Sequence, residues 1–142
     1  MSTIAAIATP NAAGGIGIIR ISGDEALTVA DKCFKAYSGQ KITDMKGYRA
    51  SYGQIFEDDS PIDEAVVIVY RAPKSYTGEN VCEICCHGGL YIMNKVLRLL
   101  FTLGAVPAEP GEFTKRAYLN GKMDLAQAES VMNIISASGE AA

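Results

Sequence analysis

The sequence is short of positive charge. Its 142 residues include 13 Lys and Arg against 16 Asp and Glu, which gives a formal net charge of −3 at pH 7. A module that binds nucleic acid by itself normally carries a basic excess. We therefore expect that any role on a nucleic acid depends on groups outside this chain.

Long hydrophobic runs are also lacking. The longest unbroken apolar stretch is Ala65 to Tyr70, far shorter than the roughly 18 to 20 residues that cross a bilayer. The amino terminus has no basic region ahead of its apolar residues, unlike a secretory signal. These absences predict a cytoplasmic protein without membrane segments. Since 49% of the residues are hydrophobic, the chain has enough apolar material for one folded domain, which excludes intrinsic disorder.

Ligands for a metal are scarce. His87 is the only histidine, and three of the four cysteines fall within the five residues Cys82 to Cys86. In a strand, alternate side chains point to opposite faces, so Cys82 and Cys86 are separated from Glu83, Cys85 and His87. We expect no metal site and no disulfide, but reduced thiols. A nucleophilic pair of Cys85 with His87 stays open as an alternative, although buried small thiols are favoured.

The sequence has no phosphate-binding P-loop. The only Gly-Lys pair is Gly121-Lys122. Met123 follows it where Ser or Thr is required, and Arg116 stands where the first glycine should be. A nucleotide site of this type is therefore excluded from the chain.

Apolar periodicity predicts an α/β (α+β) fold, a mixed β-sheet with two principal helices. A hairpin is expected through residues 58–61, and the turn residues at 10–15 separate the first two strands. The predicted strands are Thr3–Ala8, Ile16–Ile21, Tyr48–Glu57, Ile62–Arg71, Val81–Cys86 and Ala105–Ala108, and the predicted helices are Asp24–Tyr37, Leu90–Leu103, Glu112–Leu119 and one that starts after Asp124.

Helix ends carry their own signals. Ser22 or Asp24 is expected to cap the first helix, Gly104 ends the second, and Asp124 with Gln127 resembles a capping box for the last. That last helix has an apolar stripe and then reaches the end of the chain. We expect either that the chain is a fragment or that the stripe docks onto a second copy. The stripe comprises Leu125, Ala128, Val131, Met132 and Ile135.

Two charged residues stand in strands that are otherwise apolar. Glu83 must be solvated, paired or bound to a ligand to stay charged there, and its carboxylate suits the side-by-side donors of a pterin or a guanine. Arg20 has a planar fork that suits a carboxylate or phosphate. For Glu83, a structural ion pair with Arg20 or a lysine is an equal alternative, and for Arg20 a solvated charge on a half-exposed strand is an equal one. The turn His87-Gly88-Gly89 before a helix is a weak candidate for anion binding.

Three stretches of the chain, taken together, resemble one family. They read ATPNAAGGIGIIRISG near the start, SYTGENVCEICCHGG in the middle and AEPGEFTKRAYLNGKMDLAQAE near the end. They are similar to the N-terminal region of the MnmE (TrmE) family of tRNA modification GTPases. The likeness runs from Thr3 to about Ser138, and it is long enough to make coincidence an inadequate explanation.

The resemblance implies a domain arrangement. Family members have an N-terminal α/β domain similar to tetrahydrofolate-binding aminomethyltransferases, then a helical domain with a Ras-like GTP-binding domain inserted in it. By this likeness, residues 1–120 form a folate-binding and dimerisation domain, and residues 121–142 form the first helix of a truncated helical domain. The sites for GTP, Mg²⁺ and K⁺, and a C-terminal Cys-x-Gly-Lys motif, would lie beyond Ala142, so this chain would not hydrolyse GTP.

The resemblance also implies a function and a site. With a flavoprotein partner, MnmG (GidA), the family modifies C5 of the wobble uridine (U34) of certain tRNAs, with a one-carbon unit from a folate. Matched motif by motif, Arg20, Glu83 and Lys122 fall on the residues that bind 5-formyl- or 5,10-methylene-tetrahydrofolate, and the domain forms homodimers. No catalytic residue is carried over to this chain.

Two other functions remain open at this stage. One is a stand-alone folate-dependent aminomethyl or formyl transferase, which would need a catalytic acid or base in the pocket. The other is a purely structural dimerisation module, in which Arg20 and Glu83 form an ion pair without a ligand.

Overall fold

The computed structural model describes residues 1–9, 15–87 and 89–137. Most of the turn predicted at residues 10–15 and the middle residue of the His87-Gly88-Gly89 turn lie outside these ranges. The strands are β1 Ile4–Ile7, β2 Gly17–Ser22, β3 Phe34–Ala36, β4 Arg49–Glu57, β5 Ser60–Tyr70, β6 Val81–Cys86 and β7 Val106–Pro107, and the helices are α1 Ala26–Asp31, α2 Gly89–Thr102, α3 Glu112–Leu119 and α4 Leu125–Ala137, with a short 3₁₀ turn at Ile42–Asp44.

The strands form one seven-stranded sheet in the order β3-β4-β5-β6-β2-β1-β7. Neighbouring strands are antiparallel except β1 and β7, which are parallel. The sheet is therefore mixed and the fold is α+β, as the sequence predicts. Among the described residues, no helix combines the length and apolar character that a membrane-spanning segment requires.

Alternation along the strands separates a core face from a second face. Ile19, Ile21, Val67 and Ile84 are fully buried in the main apolar cluster, and residues of α1 and α2 complete this cluster. The residues between them on each strand point the other way. This second face carries the charged side chains of Arg20 and Glu83. The loop 71–80 and α3 cover part of it.

The first helix is much shorter than predicted. We expected Asp24–Tyr37, but α1 ends at Asp31, and Phe34–Ala36 is an edge strand paired with β4. The amide of Cys33 closes the last turn on the carbonyl of Ala30. The helical spacing of apolar residues was misleading here, because Phe34–Ala36 pairs through its backbone with the edge of the sheet, and apolar spacing carries no information about such pairing.

The predicted cap of α1 is also wrong. Glu25 occupies the N-cap position, without a side-chain hydrogen bond to the helix. Its amide donates to Thr3 Oγ1 at 3.0 Å. Ser22, one of the two residues expected to cap, is buried and its hydroxyl lies 2.7 Å from Thr77 Oγ1, because the loop 71–80 packs over the end of β2.

Other predictions are confirmed to within one or two residues. The helix predicted at Leu90–Leu103 is α2, and Gly104 follows it with φ 123°. The helix at Glu112–Leu119 is α3. The capping box is reciprocal: the amide of Gln127 donates to Asp124 Oδ1 at 2.8 Å, and that of Asp124 donates to Gln127 Oε1 at 2.9 Å.

The edge strand depends on a glycine. A Cβ at Gly53 would collide with the carbonyl oxygen of Lys35, so Gly53→Ala must push β3 away from β4. We expect a loss of about 1 to 3 kcal/mol in the free energy of unfolding, measured by urea denaturation. Ser51→Ala on the same strand is the control, with an expected change within about 0.5 kcal/mol. Equal midpoints for Gly53→Ala and the unsubstituted chain would contradict this packing.

Candidate functional site

Arg20 and Glu83 meet on the second face of the sheet. β2 and β6 are antiparallel neighbours, and their register places the two residues directly opposite each other. Arg20 Nε donates to Glu83 Oε2 at 3.0 Å, with side chains 24% and 16% exposed. The ion pair that the sequence left open is therefore present.

Some donor and acceptor atoms of the Arg20–Glu83 pair are not used by other described residues. Within the described ranges, no residue accepts a hydrogen bond from the two Nη atoms of Arg20. Glu83 Oε1 accepts only a long bond, 3.3 Å, from the Tyr70 hydroxyl. The guanidinium of Arg20 lies 5.4 Å from the ring centroid of Tyr76 and 5.2 Å from that of Phe113, which holds the fork in place through cation–π contacts. A planar, oriented set of donors and an acceptor results.

These groups border a small cavity. Arg20, Glu83, Tyr70, Tyr76 and Val81 line a space of about 160 Å³. Burial raises the pKa of Tyr70, as do the charge of Glu83 and the hydrogen bond to it. The Tyr70 phenol is therefore a hydrogen-bond donor at neutral pH.

A wider cavity of about 300 Å³ lies beside the first. Tyr70 and Tyr76 line both cavities, and the wider one also includes Lys122, whose Nζ donates to the Pro73 carbonyl at 3.0 Å. The structure thus brings Arg20 and Glu83 into contact and places Lys122 in the neighbouring cavity, across the two tyrosines. The remaining lining residues are Tyr48, Lys74 and Ser75.

The loop 71–80 supplies much of this wall and is anchored at its start. Arg71 donates through Nη2 to the carbonyls of Thr43 and Met45, both at 2.8 Å. At its other end, Asn120 Nδ2 donates to the Thr77 carbonyl at 2.7 Å. These bonds fix a segment that has no regular secondary structure.

A buried arginine ties the same loop to α3. Arg116 is 2% exposed, and its Nη1 donates to both carboxylate oxygens of Glu79, at 3.0 and 3.1 Å. Its Nη2 donates to Glu112 at 3.0 Å, and Ser22 donates to Glu79 at 2.7 Å. Arg116 Nε has no acceptor among the described residues. A buried charge needs such partners, so Arg116 holds the loop, α3 and β2 together.

The sequence matches a known family over most of its length. Residues 3–122 match the family described as GTP-binding protein TrmE N-terminus. The chain belongs to the TrmE N-terminal family.

Individual relatives agree with this family assignment. The chain is 49% identical to the tRNA modification GTPase MnmE of Bacillus licheniformis over 144 residues, 50% to that of Lachnoclostridium phytofermentans over 141 and 47% to that of Bacillus subtilis over 144. These alignments cover 99% or 100% of this chain but 31% of each relative. The chain therefore spans about a third of the length of the curated relatives it matches.

Sequence reasoning missed four residues of the site in this member of the TrmE N-terminal family. Tyr70, Tyr76 and Lys74 line the cavities, and Arg116 was considered only as a failed P-loop position. The segment of Tyr76 and Lys74 falls between the predicted strands Ile62–Arg71 and Val81–Cys86 and has no periodic pattern of its own. The available signal was that Tyr76 lies within the motif stretch SYTGENVCEICCHGG and that Lys74 directly precedes it.

The surroundings of the cysteines oppose a nucleophilic role. Cys82 and Cys86 lie in the core, as the strand alternation predicts, and burial raises the pKa of each thiol to about 12. Cys85 lies on the second face, and its pKa is raised by burial and then by the charge of Glu83. His87 Nδ1 lies 3.5 Å from Asp63 Oδ1. A raised pKa opposes thiolate formation, which argues against a Cys85–His87 pair.

We expect Glu79→Gln to destabilise the domain by about 3 kcal/mol. That value is the low end of the cost of breaking a buried pair, because Glu112 still faces Arg116. Urea denaturation monitored by circular dichroism measures the loss. The control is Glu109→Gln, an exposed carboxylate nearby, expected to change stability by less than about 0.5 kcal/mol. If both variants unfold at the same midpoint, Arg116 does not need Glu79.

The buried thiols should make the free energy of unfolding depend on pH. Unfolded cysteines ionise near their ordinary pKa of 9.0, whereas Cys33, Cys82 and Cys86 keep their protons up to about 12 in the fold. The folded state thus binds more protons above pH 9, and the free energy of unfolding must fall as pH rises from about 9 towards 12. Replacing Cys82 with Ala should flatten this slope, measured by urea denaturation at pH 8 and 10. An unchanged slope would contradict the burial argument.

Proposed function

We propose that this chain is the folate-binding, self-associating part of a tRNA modification GTPase. The observation that carries the proposal is the Arg20–Glu83 pair beside a cavity with aromatic walls, with Lys122 in the adjoining cavity. The ligand we propose is 5-formyl- or 5,10-methylene-tetrahydrofolate, and the residues we propose to bind it are Arg20, Glu83 and Lys122.

The chemistry of these donors fits a reduced pterin. A pterin presents an amino group and a ring N–H side by side, and a carboxylate such as that of Glu83 accepts both. Its ring carbonyl accepts from a guanidinium, and the Nη atoms of Arg20 are unengaged among the described residues. Tyr70 and Tyr76 provide flat apolar walls. When bound, the folate would supply a one-carbon unit, while these residues bind and orient it.

The geometry of the ion pair favours a ligand over a purely structural role. An arginine and a carboxylate that satisfy each other fully commonly use two parallel hydrogen bonds. Here a single Nε bond joins them at 3.0 Å, and both groups border the cavity. The buried Arg116–Glu79 pair differs from the Arg20–Glu83 pair, since Arg116 Nη1 donates to both carboxylate oxygens of Glu79.

The function of the whole protein is part of the proposal. The relatives are named tRNA modification GTPases, and we infer that the longer protein modifies C5 of the wobble uridine together with the flavoprotein MnmG. GTP, Mg²⁺ and K⁺ would bind on a domain outside this chain. We propose that residues 1–120 are the folate domain and that α4 begins a helical domain.

Self-association completes the proposal. Large apolar side chains are exposed on the chain, among them Ile16, 70% exposed, and Leu125, 55% exposed. Contiguous patches of such side chains mark interfaces between proteins, and we propose that some of these residues belong to one. A homodimer would cover them.

Isothermal titration with 5-formyltetrahydrofolate tests the site. Glu83→Gln keeps the shape but loses the charge, and we expect affinity to fall by about one to two orders of magnitude, the equivalent of a hydrogen bond to a charged group. Glu57→Gln, an exposed carboxylate at the far hairpin, is the control and should bind normally. Equal affinity in Glu83→Gln and the unsubstituted chain would remove Glu83 from the site.

Sedimentation velocity with and without the same ligand distinguishes the alternatives. We expect a dimer that binds 5-formyltetrahydrofolate. A dimer that takes up no folate would favour the structural module, and one-carbon turnover by this chain alone would favour a stand-alone transferase.

A further inference from the structure

The wider cavity carries positive charge that the Arg20–Glu83 pair does not neutralise. It is lined by two lysines, Lys74 and Lys122, together with Tyr48, Tyr70 and Tyr76. Lys122 Nζ is held by the carbonyl of Pro73 at 3.0 Å. The ammonium group of Lys74 has no hydrogen-bond or ion-pair partner among the residues that the structure describes.

Neighbouring carboxylates are already committed to other partners. Glu79 and Glu112 face the buried Arg116, and Glu83 faces Arg20. Asp124, two residues after Lys122, accepts the amide of Gln127 in the capping box. None of the ion pairs formed within the described ranges involves a lysine. The wider cavity therefore carries two positive charges without a matching carboxylate.

The two cavities are adjacent. Tyr70 and Tyr76 line both of them, with the Arg20–Glu83 pair on one side and the two lysines on the other. A ligand that spans both would place a flat hydrogen-bonding head beside Arg20, an aromatic middle against the tyrosines and an anionic end beside Lys74. That order of groups is the order along a folate: pterin, aminobenzoyl ring and glutamate.

We propose that Lys74, with Lys122, forms a binding site for the carboxylates of the folate glutamyl tail, so that the ligand class is a glutamylated folate with its tail in the wider cavity. This inference rests on the proposed function of the Arg20–Glu83 pocket. It adds Lys74 as a binding residue and assigns Lys122 to the tail.

Isothermal titration with three probes that differ in the number of glutamates tests the site. They are 5-formyltetrahydropteroate with none, 5-formyltetrahydrofolate with one, and the triglutamate of 5-formyltetrahydrofolate. We expect the unsubstituted chain to bind the glutamylated probes several-fold tighter than the pteroate. Because exposed ionic contacts are modest, Lys74→Gln should weaken the glutamylated probes about three- to fivefold and leave the pteroate unchanged. Lys74→Glu should weaken them further. The difference in affinity between the glutamylated probes and the pteroate should become smaller at high salt.

Lys95→Gln is the matched control, since Lys95 lies on α2, which packs on the opposite face of the sheet. Its affinities should equal those of the unsubstituted chain for all three probes. If the unsubstituted chain binds the pteroate as tightly as the triglutamate, or if Lys74→Gln weakens all three equally, the tail site is wrong while the folate pocket stands. If none of the three binds, the proposed function fails together with this inference.

Discussion

A buried positive charge determines how this domain is assembled. Arg116 is almost fully removed from water and is neutralised by Glu79 and Glu112. Removing such a charge from solvent is costly unless carboxylates face it. Arg116 and Glu112 both belong to α3 and Glu79 belongs to the loop 71–80, so the Arg116–Glu79 pair joins the two elements, and the hydrogen bond from Ser22 to Glu79 ties them to the end of β2. The loop then presents Tyr76 and Lys74 to the cavities.

The site combines this constraint with a second, simpler one. The antiparallel register of β2 and β6 sets Arg20 opposite Glu83 without any contribution from the loops. Sheet geometry thus positions the charged pair, and the anchored loop positions the aromatic walls around it. Neither the sheet nor the loop forms a pocket by itself. Without the loop the sheet face would be open to solvent, and without the sheet the loop would lack the Arg20–Glu83 pair. Although the net charge of the chain is −3, two lysines, Lys74 and Lys122, line the wider cavity.

Elements with a complete local signal were predictable from the sequence. The capping box at Asp124 and the apolar spacing of α2 specify their helices by themselves. The short strand at Phe34–Ala36 was not, because it exists only through pairing with β4. Arg20 and Glu83 could be singled out as charges in apolar strands, whereas Lys122 came only from the family likeness. Tyr76 lies within a motif stretch, but its place on the cavity wall could not be predicted, since contacts distant in sequence shape its loop.

We propose that a folate lies across both cavities, with its head on Arg20 and Glu83. A crystal structure of the complex with 5-formyltetrahydrofolate triglutamate tests it most directly. We expect the pterin within hydrogen-bond distance of the Glu83 carboxylate, the aryl ring between Tyr70 and Tyr76, and the tail carboxylates beside Lys74. Density for the pterin on another surface, with the Arg20–Glu83 cavity filled only by solvent, would contradict it.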